Sequence, residues 1–128
     1  MKYRSWLSAA ILLAVSAAAH AGEIMPFSDT AFAQLTAADK PVLVEAHADW
    51  CPTCRKQAPV VAKLVAAPGY ADYTVLKIDY DHQRAALKRF HITQQSTLIV
   101  YRGAQERDRA VAVTDDASIR KLLDTGLK

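Results

Sequence analysis

Cysteine is scarce in this chain of 128 residues, which contains only Cys51 and Cys54. Two thiolates are too few for a structural zinc site of the tetrathiolate kind, because such a site needs four. A disulfide between them would close so small a loop that it would add little loop-closure stability. The pair therefore indicates a chemically reactive site. A purely structural disulfide and half of a metal site remain the alternatives.

A strong excess of charge of one sign is also absent. The chain carries 16 basic and 13 acidic side chains, for a formal net charge of +3. Two of the 16 basic residues, Lys2 and Arg4, lie in a leader that we expect to be removed, which leaves 14 basic side chains against 13 acidic ones. A nearly neutral domain gives no electrostatic reason to expect nucleic acid or an anionic membrane as a partner.

Long apolar runs are missing as well. The N-terminal run Trp6–Ala19 spans 14 residues, whereas a bilayer-spanning helix needs about 20. Basic residues precede it and the small-residue site Ala19-His20-Ala21 follows, which is typical of a secretory signal peptide. We predict that residues 1–21 are a signal peptide and residues 22–128 one domain. A membrane anchor is the alternative.

A mature chain of this length suffices for one domain with a modest core, and the sequence shows no internal repeat. Export would place the cysteines outside the reducing cytosol. Because the short, Ala-rich leader is typical of bacteria, we predict a periplasmic or secreted location. We expect the mature protein to be soluble and monomeric.

The two cysteines lie between the predicted buried strand Pro41–Ala48 and a helical pattern that starts at Pro52. A CxxC pair at such a junction is typical of a redox dithiol. If Cys51 caps the helix, free backbone N–H groups and the macrodipole lower its pKa from about 8.5. Pro52 suits the first helical position, and Cys54 shares a helix face with Cys51. We therefore predict that Cys51 attacks a substrate disulfide and Cys54 resolves the mixed disulfide.

The segment Glu45–Pro59, EAHADWCPTCRKQAP, resembles the active-site segment of the thioredoxin family. Its specific features are a tryptophan before CxxC and a proline five residues after the second cysteine. The resemblance extends from about Phe27 to the C-terminus. It implies an α/β thioredoxin fold, in which a central mixed β-sheet is flanked by helices on both faces in the order β-α-β-α-β-α-β-β-α. The pattern alone supports only an α/β domain with parallel and antiparallel strand pairs.

The element boundaries come from hydrophobic periodicity and turn residues. The predicted strands are Glu23–Phe27, Pro41–Ala48, Tyr73–Ile78, Ser96–Tyr101 and Arg109–Thr114. Four helices are predicted. The first starts after Ser28 or Asp29, the second spans Pro52–Ala67, the third spans Asp81–Phe90, and the last starts after Asp115 or Asp116.

The resemblance also implies roles for residues near the dithiol. The family has a buried acid, thought to shuttle the proton of the resolving cysteine, at the position of Glu45. Burial should raise the pKa of this carboxyl group, and a solvent-facing strand residue is the alternative. Trp50 is expected to pack beside the dithiol and shield it from water. Together with Pro52 and Thr53, it is predicted to contact the substrate.

One position departs from the family. Thioredoxins carry a cis-proline in a loop that faces CxxC, and this sequence has Ser96 there, after Gln95. Because a cis bond before a non-proline residue costs roughly 2.5–4 kcal/mol, we expect a trans Gln95–Ser96 bond. Gln95 and Ser96 are predicted to line the substrate groove.

The resemblance implies a thiol–disulfide oxidoreductase that needs no soluble cofactor, because Cys51 and Cys54 are the redox centre. The Pro52-Thr53 dipeptide lacks the histidine that strong periplasmic oxidants carry beside the second cysteine. We therefore favour a reductase or isomerase that acts on protein disulfides or thiols and receives electrons from a membrane thiol-transfer protein. The alternative is a non-catalytic protein that binds a client, or a metal or iron–sulfur cluster through Cys51 and Cys54 of two chains. We predict no metal site within one chain.

Overall fold

The computed structural model describes residues 21–128. The predicted signal peptide, except for Ala21, lies outside the described residues. The elements follow the order expected from the sequence: β1 (Glu23–Pro26), α1 (Asp29–Ala37), β2 (Pro41–His47), α2 (Pro52–Val65), β3 (Thr74–Asp79), α3 (Arg84–Arg89), β4 (Thr97–Arg102), β5 (Gln105–Val111) and α4 (Asp116–Asp124).

The five strands form one mixed sheet in the order β1-β3-β2-β4-β5. β1 and β2 both pair with β3 in parallel, while β4 is antiparallel to both β2 and β5. β2 is the central strand, and six of its seven residues are buried. A strand covered on both faces needs an almost continuous apolar run, which explains why this segment is so hydrophobic.

Helices cover both faces of the sheet. Val42, Val44 and Ala46 of β2 pack in a cluster with side chains of α1 and α3. Leu43 points to the opposite face, where it packs with side chains of α2 and α4. This arrangement confirms the predicted thioredoxin fold class. Because side chains alternate along a strand, Glu45 lies on the same face as Leu43, towards α2.

β3 and β4 each begin one residue later than predicted, at Thr74 and Thr97, and two elements begin several residues away from their predicted starts. α3 starts at Arg84 rather than Asp81, because the preceding residues form a turn in which the Gln83 N–H donates to the Asp79 carbonyl oxygen at 2.8 Å. β5 starts at Gln105 rather than Arg109. Gly103, with φ of 57°, permits a tight turn, so strand pairing resumes at once with Arg102 opposite Gln105.

The start of the domain is attached to the end of α2. The Gly22 N–H donates to the Val65 carbonyl oxygen at 2.7 Å. A Cβ atom on Gly22 would lie 2.8 Å from that same oxygen and 3.0 Å from the Tyr73 carbonyl oxygen, so glycine is required for this close approach. Within residues 21–128, no helix is both long and apolar enough to cross a bilayer.

Candidate active site

Cys51 is the N-cap of α2. Its φ and ψ angles of −78° and 116° are extended, and Pro52 occupies the first turn. The Cys51 sulfur accepts a hydrogen bond from the backbone N–H of Cys54 at 3.2 Å. The Cys51 thiol therefore lies at the tip of the helix, as predicted. At this position the sulfur accepts from a backbone N–H group that would otherwise lack a partner within the helix.

Both thiols are free and packed into the protein. Cys54 is fully buried, and only 6% of Cys51 is exposed. The two side chains form a small cluster with Ala48, against which Tyr80 packs. Cys51 is thus the outer thiol of the pair, although it is more enclosed than a position at a helix tip suggests, because residues of other loops cover it.

The two thiols differ in acidity. Burial by itself raises the pKa of Cys51, but hydrogen bonds from the side chains of Cys54 and Ser96 and from the backbone N–H groups of Cys54 and Thr53 outweigh it, so the pKa is lowered. Burial and the neighbouring Cys51 sulfur raise the pKa of Cys54. Since the thiolate is the nucleophile, Cys51 is suited to attack and Cys54 stays protonated until a later step.

Ser96 lies directly against both sulfurs. Its hydroxyl oxygen is 3.4 Å from the Cys51 sulfur and 3.1 Å from the Cys54 sulfur. The peptide bond between Gln95 and Ser96 is trans, as predicted, and Ser96 adopts a φ of 62°. The residue is only 1% exposed. Its side chain therefore contacts the dithiol beneath the surface, whereas Gln95 is half-buried.

Gln57 supports this loop and was missed by the sequence reasoning. Its fully buried side-chain amide donates to the carbonyl oxygens of Ser96 at 3.2 Å and Val113 at 2.8 Å. Gln57 follows Cys54 by three positions, so it lies on the same helix face. A polar residue at that spacing was the available signal, but only the fold shows which carbonyl groups it reaches.

Trp50, the residue before Cys51, lies at the surface. Its side chain is 56% exposed, and its indole N–H lies 2.9 Å and 3.1 Å from the two carboxylate oxygens of Asp81. Ala48 and Tyr80 pack against the two cysteines, and the shielding predicted for Trp50 stays a prediction. Asp81 was also missed, although the carboxyl ends of the parallel strands β2 and β3 bring the two residues to one edge of the sheet.

A groove with a volume of about 480 Å³ lies beside Trp50, and its wall includes His47, Asp49 and Asp81. Pro52 is exposed and Thr53 is half-buried. Ser96 is buried, and the substrate contacts predicted for Trp50, Pro52, Thr53 and Gln95 stay predictions.

Glu45 is buried in β2, with 2% of its surface exposed. Burial raises the pKa of this carboxyl group, while the charges of Lys77 and His47 act in the opposite direction. One carboxyl oxygen has no hydrogen-bond partner among the described residues. The expected burial and raised pKa are therefore present. The polar neighbours of the Cys54 sulfur are Cys51, Ser96 and backbone groups.

Within residues 21–128, no group of three or more His, Cys, Asp or Glu side chains is arranged to hold a metal ion. The site can perform thiol–disulfide exchange with its own two sulfurs. The Cys51 thiolate would attack one sulfur of a disulfide, and Cys54 would then displace the second sulfur from Cys51.

Comparison with known proteins agrees with this chemistry. The family model described as Thioredoxin matches residues 23–125. A thioredoxin of Mycobacterium bovis is 33% identical over 99 residues, which cover 76% of this chain and 84% of that protein. A thioredoxin of Chlamydia muridarum is 34% identical over 82 residues, covering 64% of this chain and 78% of that protein.

A solved structure is also similar. The crystal structure of Trxlp from Edwardsiella tarda matches with a TM-score of 0.77 and 42% sequence identity, and the match covers 79% of this chain and 98% of that one. Together with the CxxC pair at the start of α2, these matches show that the chain belongs to the thioredoxin family and is a thiol–disulfide oxidoreductase whose redox centre is Cys51 and Cys54.

Proposed function

We propose that the mature protein is an exported, periplasmic or secreted enzyme that reduces or isomerises disulfides of protein substrates. The proposed direction of electron flow rests on the chemical type of the groups around Cys51. Its sulfur is contacted by a hydroxyl group, a thiol and backbone N–H groups, all of them uncharged.

Uncharged donors stabilise a thiolate less than a cationic side chain does. A dithiol becomes a strong oxidant when its reduced form is strongly stabilised. The moderate stabilisation of the Cys51 thiolate therefore favours a reducing or isomerising enzyme. The Pro52-Thr53 dipeptide supports this direction, because it places no histidine next to Cys54.

The surroundings of Cys51 favour a protein substrate. Trp50 and Pro52 are exposed on either side of a sulfur that is itself nearly buried. A flexible segment that carries a disulfide can lie on these side chains and present one sulfur to Cys51. Their apolar surface provides contact area that does not depend on the sequence of the client.

The reduction potential tests the direction of electron flow. Equilibration of the Cys51–Cys54 pair with glutathione or dithiothreitol buffers should give a value below about −180 mV, within the range of isomerases and thioredoxins. A value near about −120 mV, typical of a strong periplasmic oxidant, would contradict a reducing role.

Export and electron supply need separate tests. Mass spectrometry of the exported protein should show a chain that begins at Gly22, and a membrane-retained product that keeps residues 1–21 would contradict export as a soluble protein. The Cys54→Ala variant, which cannot resolve mixed disulfides, should trap protein clients and a membrane thiol-transfer protein on Cys51. The Cys51→Ala variant is the matched control and should trap neither.

A further inference from the structure

We propose that the Ser96 hydroxyl is a catalytic group, which holds the Cys51 thiolate by a hydrogen bond and then carries the proton of Cys54 to the sulfur that leaves Cys51. The proposal rests on the thiol–disulfide exchange of the family. It does not depend on the cellular location or the direction of electron flow proposed above.

The geometry fits a bridge between the two sulfurs. The Ser96 oxygen lies 3.1 Å from the Cys54 sulfur and 3.4 Å from the Cys51 sulfur. A hydroxyl group donates one hydrogen bond and accepts others at the same time. The Cys54 S–H group can therefore donate to the Ser96 oxygen while the Ser96 O–H group donates to the Cys51 thiolate.

Burial makes a protein group necessary for this proton transfer. Cys54 is fully buried and Ser96 is 1% exposed, so bulk water does not reach the Cys54 proton. Within residues 21–128, Ser96 is the polar side chain, besides Cys51, that contacts the Cys54 sulfur. Two further titratable groups are Tyr80, which packs against the dithiol cluster, and Glu45, whose carboxyl group is influenced by Lys77 and His47.

The backbone of Ser96 gives independent support. Its φ of 62° lies in the left-handed region, which is unfavourable for a residue with a side chain. Three hydrogen bonds hold it there: its N–H donates to the Ala46 carbonyl oxygen at 2.9 Å, and its own carbonyl oxygen accepts from Ala112 N–H at 3.1 Å and from Gln57 at 3.2 Å. Such strained residues concentrate at functional sites. Here the strained backbone places the hydroxyl group between the reacting sulfurs.

The reaction balances with this role. In the first step, the Cys51 thiolate attacks a disulfide, so that one S–S bond breaks, a bond from Cys51 to substrate forms, and a substrate thiolate leaves. In the second step, Cys54 attacks the Cys51 sulfur, and its proton passes to the Ser96 oxygen as the Ser96 proton passes to the departing substrate sulfur. The enzyme loses two electrons to form the Cys51–Cys54 disulfide, and the substrate gains them as one thiolate and one thiol.

The test uses single turnovers with two leaving groups. The reduced protein is mixed with oxidised glutathione or with 5,5′-dithiobis(2-nitrobenzoate), and attack and resolution are followed separately by acid quenching and mass spectrometry. Glutathione leaves as a basic thiolate that benefits from a proton, whereas the nitrobenzoate thiolate is a weak base that leaves without one. Only the departure of glutathione should depend strongly on a proton carried by Ser96.

Two variants remove the hydroxyl group: Ser96→Ala, and Ser96→Gly, which suits the positive φ and decides the outcome if Ser96→Ala does not fold. Both variants should slow resolution of the glutathione adduct at least about tenfold, because general acid–base catalysis makes contributions of that size or larger. They should slow resolution of the nitrobenzoate adduct less. The pH profile of Cys51 alkylation by iodoacetamide should also move to higher pH. The control is Thr97→Val, because the Thr97 hydroxyl donates to Gln94 and not to sulfur.

Slowing of less than about threefold for the glutathione adduct would overturn the proposal. Equal slowing for both leaving groups, or the same loss in Thr97→Val, would also overturn it, because Ser96 would then act only through the shape of the loop. If Glu45→Gln slows resolution while both Ser96 variants do not, Glu45 takes the proton without Ser96. None of these outcomes bears on the direction of electron flow, which the reduction potential measures.

Discussion

At the scale of single residues, Cys51 and Cys54 have the same side chain but different surroundings. The Cys51 sulfur faces the donors at the start of α2 and the Ser96 hydroxyl, and its pKa is lowered. Cys54 lies deeper, where burial raises its pKa. The division into an attacking and a resolving thiol therefore follows from position and not from residue type.

Alkylation of the reduced protein measures this division. At pH 7, iodoacetamide should modify Cys51 at least about tenfold faster than Cys54, since only the thiolate reacts. Peptide mapping by mass spectrometry identifies the labelled cysteine. In the Cys51→Ala variant, Cys54 should still react slowly, and equal labelling of both thiols in the native protein would contradict the assignment.

Glu45 should make the stability of the protein depend on pH. Burial raises the pKa of its carboxyl group in the folded state, so the folded protein retains a proton that the unfolded chain has lost. The stability is then highest below the unfolded-state pKa and decreases as the pH rises towards the folded-state pKa. Glu45→Gln should therefore be more stable than the native protein at pH 8 and show a much smaller difference at pH 4.

Urea unfolding at both pH values tests this expectation. A matched control is Glu106→Gln, since Glu106 lies exposed on β5. A Glu45→Gln variant that is less stable than the native protein at pH 8 would show that the ionised carboxylate is stabilised in the fold. The role of Glu45 as a proton acceptor for Cys54 stays a prediction that competes with the Ser96 proposal, and the single-turnover experiment decides between them.

At the scale of elements, α2 organises the site. Its N-cap is Cys51, and its buried face continues through Cys54 and Gln57 to Val61 and Leu64. One helix therefore supplies both sulfurs, the amide that holds the Ser96 loop, and the apolar contacts that attach all of them to the sheet. A shift of α2 would move the dithiol and Ser96 together.

Removal of the Gln57 amide should loosen this connection. Gln57→Leu leaves the carbonyl oxygens of Ser96 and Val113 without these donors. The Ser96 carbonyl oxygen keeps the Ala112 N–H, so the Val113 carbonyl oxygen is the group left without its donor. An unsatisfied buried group costs about 1–3 kcal/mol, so the free energy of unfolding should fall by about 1 kcal/mol or more in urea titrations. Resolution of mixed disulfides should slow as well. The exposed neighbour Lys56→Gln is the control, and an equal loss there would contradict the role of Gln57.

At the scale of the whole molecule, the resemblance of Glu45–Pro59 to the thioredoxin family predicted the fold, and local sequence signals located its elements. Pro52 after Cys51 marked the helix start, and the apolar run of β2 marked the central strand, because these signals lie within a few residues of the feature. The bond from Trp50 to Asp81 spans 31 positions and the one from Gln57 to Ser96 spans 39. Such contacts depend on how β3 and β4 pack beside β2, so no local pattern identifies the partner.

The attachment of Gly22 to Val65 would give removal of the proposed signal peptide a consequence for stability. In the uncleaved chain, the nitrogen that donates to the Val65 carbonyl oxygen at 2.7 Å is a neutral amide. Cleavage after Ala21 would turn it into an ammonium group at the negative end of the α2 dipole, an arrangement typically worth 0.3–1 kcal/mol at low ionic strength. A chain that begins at Gly22 should thus be slightly more stable than one that keeps residues 1–21. Acetylation of the Gly22 amine should lower the free energy of unfolding by about that amount, salt should reduce the difference, and equal stability of the two forms at low salt would show that the new charge does not act on the helix.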